Sequence, residues 1–320
     1  MLVYLYNVSM NKVLVVGING FVGKHLAREL KANGHGVHGT GLDDSVADDI
    51  SDLVDTYTQC DLTDSNAVAA IDLSDISAVI NLAALATPSQ SSIEPALYDR
   101  VNVLTHTNLL DRLEELKIRV PVVAVSTGAV YASDQPMPLT ESSRLITEGA
   151  PYAMSKIRLE QQLVKYRDAG QKIITVRPLN HTGPGQGPGF IVPDMTSKIQ
   201  NQDELIVGPL NTSRDYTHVD DVVRAYRLLI EQADSLESDV YNICSGVATS
   251  RDELIELIEK ATGRPKLPVK IDDTIGRPND PVVLYGSHDL LTAETGWKPE
   301  KNLEQTISEY VAWADQQNKQ

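Results

Sequence analysis

Cysteine is almost missing from this chain: Cys60 and Cys244 are the two in 320 residues, too few for a disulfide framework or a cysteine zinc site. Both read as core residues of a cytoplasmic protein in a reducing compartment, and no metal site is expected. Positive charge is also short. Lys and Arg total 28 against 44 Asp and Glu, for a net charge of −16, and a field of that sign repels nucleic acid and anionic membrane surfaces. Neither is expected as a partner, and a phosphate-bearing ligand would need local cations or helix N-termini. Long apolar runs are missing too, since none approaches the roughly 18 residues of a membrane span. The apolar opening of residues 1–10 lacks a basic start and a small-residue cleavage site, so it reads as an extension, with Met10 as an alternative start.

What is present is an ordinary globular composition, 42% hydrophobic and 22% charged, in a length about twice that of a typical domain. Apolar or β-rich runs at Lys12–Val16, Gly36–Thr40, Thr56–Cys60, Ala78–Leu82, Val120–Ser126 and Lys172–Arg177 alternate with helical patterns at Phe21–Ala32, Asp64–Ile71, Pro95–Leu116 and Pro151–Ala169. The alternation predicts an α/β, Rossmann-type doubly wound parallel sheet with a smaller mixed α/β C-terminal lobe. A Gly/Pro-dense loop over 178–189 marks the boundary. The expected division is a dinucleotide-binding unit of residues 1–177, to which 215–246 return, and a second lobe of 178–214 and 247–320.

Directly after the first strand the chain reads Gly17-Ile-Asn-Gly20-Phe-Val-Gly23 and opens a helix. Gly17 permits the tight turn, Gly20 lets the backbone approach a pyrophosphate, and Gly23 lets the helix pack close on the sheet. Gly17, Asn19, Gly20, Phe21, Val22 and Gly23 are therefore the expected cofactor cradle. The second strand ends in His38-Gly-Thr-Gly-Leu-Asp-Asp44, with no arginine for an NADP phosphate. Asp43 could accept from ribose hydroxyls, which favours NAD over NADP, or it could belong with Asp44 to a solvated turn.

A second constellation lies downstream. Pro151-Tyr152-Ala-Met-Ser-Lys156 starts a helix and places Tyr152 and Lys156, four apart, on one face. A tyrosine is a poor acid-base group at neutrality unless a nearby cation favours its phenolate, and Lys156 would supply one. At the end of the fifth strand, Ser126-Thr127-Gly-Ala-Val-Tyr131 offers the Thr127 hydroxyl to orient a substrate oxygen. Thr127, Tyr152 and Lys156 form the candidate catalytic triad for hydride-transfer chemistry.

Taken together these segments resemble the extended short-chain dehydrogenase/reductase (NAD-dependent epimerase/dehydratase) family over essentially the full length. Arg177-Pro-Leu-Asn-His-Thr-Gly-Pro-Gly-Gln186, Arg214-Asp-Tyr-Thr-His-Val-Asp-Asp221, Asp239-Val-Tyr-Asn-Ile-Cys-Ser-Gly246 and Arg277-Pro look most like its GDP-mannose 4,6-dehydratase and GDP-4-keto-6-deoxy-mannose reductase branch. The resemblance implies an adenine contact by Asp61 and Leu62, although a plain helix N-cap by Thr63 or Asp64 would also account for that stretch. It further implies cofactor contacts by Leu82, Ala83, Ala84, Asn102, Val125, Lys156 and Pro178. For a nucleotide-diphosphate sugar, GDP-linked, it implies Thr87, Thr127, Asn180 and Lys198, with Arg214 and Arg277 clasping the diphosphate. Asp194 would face guanine N1 and N2, or simply support the first turn of its helix. A homodimer joined by the long helices at 95–116 and 151–169 is implied as well.

The sequence departs from that branch at Ala129, where the dehydratases carry an acid for water elimination, and at Leu85, which replaces a polar residue. Without that carboxylate, dehydration is disfavoured, whereas reduction of a 4-keto group needs only a hydride and the Tyr152 proton. The leading expectation is an NAD(P)H-dependent reductase of a 4-keto-6-deoxy nucleotide sugar. The alternatives are an NAD-dependent nucleotide-sugar 4-epimerase, a GDP-mannose 4,6-dehydratase, and a non-catalytic dinucleotide sensor, which would have no use for the acid-base group.

Overall fold

The structure is a computed structural model that describes residues 12–86, 91, 93–275 and 281–317. Met10, Thr87 and Arg277 lie outside the described residues. The strands run β1 (Lys12–Val16), β2 (Gly36–Gly41), β3 (Thr56–Gln59), β4 (Ile76–Asn81), β5 (Val122–Val125) and β6 (Ile173–Pro178), and then four short ones, β7 (Asn180–Thr182), β8 (Leu205–Val207), β9 (Ser213–Arg214) and β10 (Tyr216–His218), before β11 (Val240–Ile243). Seven of them form one parallel sheet in the order β11-β6-β5-β4-β1-β2-β3. The order reverses between β1 and β4, and crevices at such a point, beyond the carboxyl ends of the strands, are where open α/β sheets bind ligands.

Side-chain alternation along β1 shows why the sequence reads as a continuous apolar run. Val13 and Val15 join a core with α1 (Phe21–Ala32), while Leu14 and Val16 join the core on the opposite face. The second face is covered by α2 (Ser65–Val68), α3 (Pro95–Glu115) and α4 (Pro151–Asp168), through Leu109, Leu113, Leu159 and Leu163. After α5 (Ile191–Asn201), α6 (Val219–Glu231) returns to pack beside α1 through Val222, Tyr226 and Leu229. Covering both faces suits a parallel strand such as β1, apolar at each position from Val13 to Val16.

A third core gathers Val192 and Ile199 of α5, Leu205 and Val207 of β8, Leu254 and Ile258 of α7 (Arg251–Thr262), and Ile307 and Val311 of the C-terminal helix Leu303–Gln317. Short strands edge this part: β12 (Thr249–Ser250) with β9 and β14 (Val283–Leu284), and β13 (Val269–Ile271) with β8. Helix α7 starts where Ser250 and Glu253 close a reciprocal capping box. One helical expectation contracts. The pattern over 64–71 yields only one turn: Asp64 caps its start by accepting the Asn66 N–H at 2.9 Å, but the Ala70 and Ile71 N–H groups donate to the Ala67 and Val68 carbonyls in tighter turns, and an Asx turn follows in which the Ser74 N–H donates to Asp72 at 3.0 Å.

Candidate active site

The glycine loop sits where β1 ends. Gly17 has φ +83°, a conformation that favours glycine, and its N–H donates to the Thr40 carbonyl at 2.7 Å, tying the turn to β2. A Cβ at Gly23 would fall 2.4 Å from the Gly17 carbonyl oxygen and 2.5 Å from that of Ile18, so only glycine allows α1 this close to its own entry loop. Helix α1 begins at Gly20 with no side-chain cap and no acid in its first turn. Its leading N–H groups and positive dipole end are therefore available to an anion such as a dinucleotide pyrophosphate. On these grounds the cradle fits NAD or NADP.

Asn19 is held at both ends of its amide. Its Nδ2 donates to Asp43 Oδ2 at 2.8 Å and to the Ser45 carbonyl at 2.9 Å, while its Oδ1 accepts from the Ala47 N–H at 2.9 Å. Asn19 therefore fixes the end of β2 rather than presenting a free amide. Asp43 is exposed and keeps its second oxygen outside that bond, and the Tyr57 hydroxyl donates to its backbone carbonyl at 2.7 Å. Phe21 lies parallel to the His181 ring at 6.2 Å between centroids and meets His25 edge-on, so it joins the loop to β7 and α1. Asp61 accepts from both the N–H and the hydroxyl of Thr63, at 2.9 and 2.8 Å, through one oxygen. Asp64 is the helix cap, and Leu62 is buried beside it.

Beyond β4 the segment Leu82, Ala83, Ala84 is held from two sides. The Leu82 N–H donates to Val16, and Asn102, fully buried on α3, accepts from the Leu85 N–H at 2.8 Å while donating to Ser155 Oγ at 2.9 Å. Asn102 is thus a clamp between this segment and α4.

Thr127 neighbours Tyr152, and Lys156 lies one turn further along α4, bonded to the end of β5. Thr127 caps a short 3-10 turn over 128–130, its Oγ accepting from the Ala129 N–H at 3.2 Å, and its hydroxyl is near enough to the Tyr152 phenol to favour the phenolate. Burial pushes the Tyr152 hydroxyl above the ordinary phenol range, the nearby Thr127 hydroxyl opposes that, and neighbouring Tyr98 adds to the rise. Lys156, 2% exposed, donates from Nζ to the Val125 carbonyl at 2.7 Å. Burial brings its pKa down to about 7, against an opposing pull from Glu160. Ala129 is exposed beside Thr127 and brings no carboxylate to this spot.

The expected substrate residues lie on β7, α5 and β9. Asn180, exposed just past buried Pro178, donates to the Asp215 carbonyl at 3.2 Å. Arg214 is half-buried and donates to the Ser213 and Pro281 carbonyls at 2.8 and 2.9 Å. Asp194 accepts from the Gly189 N–H at 2.8 Å, the helix-supporting arrangement, and Lys198 is exposed on the same helix.

Several groups that shape the site have no role assigned to them in the sequence motifs. Asp215 is fully buried and accepts from the Ser245 N–H and hydroxyl and from the Gly246 N–H at 2.6–2.9 Å, fixing the loop after β11. Burial raises its pKa, partly offset by those bonds. Glu160 and Arg177 pair at 2.6 Å, and Glu160 also accepts from the hydroxyl of Ser126, next to Thr127. The four-residue spacing from Lys156 to Glu160 was a visible cue for one of them.

The NAD dependent epimerase/dehydratase family matches residues 13–244. The GDP-6-deoxy-D-mannose reductase of Pseudomonas aeruginosa is 29% identical over 306 residues, covering 92% of this chain and 94% of that protein. The structure of RMD from Pseudomonas aeruginosa, complexed with NADPH, is similar with a TM-score of 0.81 at 27% identity, over 96% of this chain and 98% of that one. The UDP-glucose 4-epimerase of Thermotoga maritima, solved with UDP-glucose, is similar with a TM-score of 0.84 at 26% identity, over 96% of this chain and 99% of that one. The chain therefore belongs to the NAD-dependent epimerase/dehydratase family and is an NAD(P)-dependent nucleotide-sugar-modifying enzyme of the extended short-chain dehydrogenase/reductase type.

Proposed function

We propose that the chain is an NAD(P)H-dependent reductase of a 4-keto-6-deoxy nucleotide sugar, GDP-4-keto-6-deoxy-mannose by preference, with Thr127, Tyr152 and Lys156 as its catalytic residues. The observation that carries this is Ala129 standing exposed beside the Thr127–Tyr152 pair, where an elimination would need a carboxylate. A bound nicotinamide supplies the hydride. Thr127 orients the keto oxygen, Tyr152 delivers a proton to it, and Lys156 stabilises the phenolate left behind. The balance is one hydride to carbon and one proton to oxygen. Similarity to the Pseudomonas reductase across nearly the whole chain supports the GDP-linked substrate.

The cofactor would lie on the cradle of Gly17, Gly20 and Gly23, with Asp61 and Leu62 toward adenine and Leu82, Ala83, Ala84, Asn102, Val125 and Pro178 along its length. Exposed Asp43, with no arginine beside it in Leu42-Asp-Asp44, favours NAD. Asn180, Asp194, Lys198 and Arg214 would face the nucleotide sugar, together with Thr87 and Arg277. A homodimer through α3 and α4 belongs to the same reading. Comparable likeness to a UDP-glucose 4-epimerase supports a second one, 4-epimerisation on retained NAD⁺. The test supplies GDP-4-keto-6-deoxy-mannose with NAD(P)H and follows cofactor absorbance. A reductase oxidises one cofactor per sugar, an epimerase shows no stoichiometric loss, and dehydration of GDP-mannose without net cofactor consumption would overturn the reductase in favour of a dehydratase.

A further inference from the structure

Arg214, assigned above to the nucleotide sugar, ends β9, the middle strand of the small sheet β12-β9-β14, and that strand is two residues long. Its pairing is correspondingly thin. Thr249 of β12 and Leu284 of β14 flank Arg214, whose Nη1 donates to the Ser213 and Pro281 carbonyls at 2.8 and 2.9 Å. Strands this short do not hold a sheet together by ladder bonds alone, so their placement has to come from elsewhere.

The next residue, Asp215, supplies it. Asp215 is fully buried. Its Oδ1 accepts from the Ser245 N–H at 2.7 Å and the Ser245 hydroxyl at 2.6 Å, and its Oδ2 accepts from the Gly246 N–H at 2.9 Å and the Gly286 N–H at 3.4 Å. Ser245 and Gly246 connect β11 of the parallel sheet to β12, and Gly286 follows β14 by two residues. One carboxylate thus pins all three strands of the small sheet, at the Arg214 end, to the end of β11. Packing closes the same corner: a Cβ at Gly286 would fall 3.0 Å from Cys244 Sγ and 3.3 Å from Leu179 Cδ1. Burying a carboxylate is costly unless its oxygens are filled, and here two donors fill each. Asn180 donates to the Asp215 backbone carbonyl, a bond that replacement of the side chain leaves in place.

We infer that Asp215 is a positioning residue for the nucleotide sugar, holding Arg214 where its guanidinium meets the diphosphate. The inference rests on the proposed role of Arg214, and its test reads binding rather than turnover. Calorimetric titration with GDP and with UDP, beside NADH fluorescence titration, is applied to wild type, Arg214→Ala, Asp215→Asn and the double variant. Asp215→Asn keeps the volume but turns an NH2 group toward two N–H donors. The tighter-binding nucleotide should lose at least about tenfold in affinity in Arg214→Ala and about tenfold in Asp215→Asn, with NADH affinity within about twofold of wild type in both. The double variant should bind that nucleotide within about twofold of Arg214→Ala, because a residue acting only through Arg214 has nothing left to lose once the guanidinium is gone. A carboxylate that merely supports folding would give additive losses, or lower NADH and nucleotide affinity alike. Either result overturns the inference, as does wild-type nucleotide affinity in Asp215→Asn. Where Asp215→Asn does not fold, Ser245→Ala takes its place in the cycle. It should cost about threefold alone and nothing further beside Arg214→Ala, and unchanged affinity or additive losses overturn the inference. Arg214→Ala binding both nucleotides as wild type does, or wild type binding neither, would refute the diphosphate site itself and the inference with it.

Discussion

Replacing Gly23 with alanine probes the cofactor cradle and the packing of α1 with one methyl group. The new Cβ would meet the Gly17 carbonyl oxygen at 2.4 Å, the Ile18 carbonyl oxygen at 2.5 Å and the Ile18 carbonyl carbon at 2.7 Å. All three are backbone atoms, so no rotamer change relieves the clash and the turn must move several tenths of an ångström. Overpacking typically costs about 1–3 kcal/mol, and a rigid backbone neighbour puts this site at about 3 kcal/mol. The displaced atoms belong to the turn that would cradle the pyrophosphate, so NADH should bind at least about tenfold more weakly, equivalent to about 1.4 kcal/mol. Gly34→Ala is the matched control: its φ is +81° and nothing lies within 4 Å of the added carbon. It should lose about 1 kcal/mol to backbone strain alone and bind NADH as the wild type does. Urea unfolding and NADH fluorescence titration on the three proteins measure both quantities. Wild-type NADH affinity in Gly23→Ala, or equal losses of affinity in the two variants, would refute the assignment of this loop.

Tyr152→Phe should lower turnover on the order of 100- to 10,000-fold with NADH affinity nearly kept, because only the transferable proton is removed; wild-type-like turnover would sink the triad. Asp43→Ala should weaken NADH more than NADPH, since the carboxylate attracts ribose hydroxyls and repels an added phosphate, and equal effects in titrations with the two cofactors would return Asp43 to a turn role. Burial alone would raise the Asp220 carboxyl, but the 2.6 Å bond from His25 and the nearby His218 and Lys301 hold it well below the usual carboxylate range. A depressed folded-state pKa stabilises above the unfolded value and is lost as pH falls below it. Melting temperatures of Asp220→Asn should therefore fall less than those of wild type between neutral and acid pH, and parallel curves would refute this.

Much of the fold was legible because its signals are local. The apolar or β-rich runs of β1 through β6 and the helix patterns of α1, α3 and α4 match the described elements to within a few residues, since parallel strands covered on both faces read as largely apolar or β-branched runs. The overextended helix at 64–71 shows the limit, where tight three-residue turns and an Asx turn competed with propensity over a short segment. Glycines of the cradle were readable for a similar reason. Steric demands at Gly17 and Gly23 arise within seven residues of chain, and no partner from elsewhere is needed to see them.

By itself, then, the sequence determined the layer architecture, the glycine turn and the placing of Tyr152 and Lys156 one turn apart on α4, because each depends on residues close in the chain and on helix or strand periodicity. Only the tertiary structure decided how polar side chains share their partners. Asn19 spends its amide on residues 43–47, Asn102 clamps the segment after β4 onto α4, Asp215 holds the loop after β11, and Glu160 joins two strand ends to the lysine helix. These bonds join residues from 17 to 53 apart in the chain. A buried polar atom takes whichever partner folding brings within 3 Å, and neither periodicity nor spacing names that partner in advance.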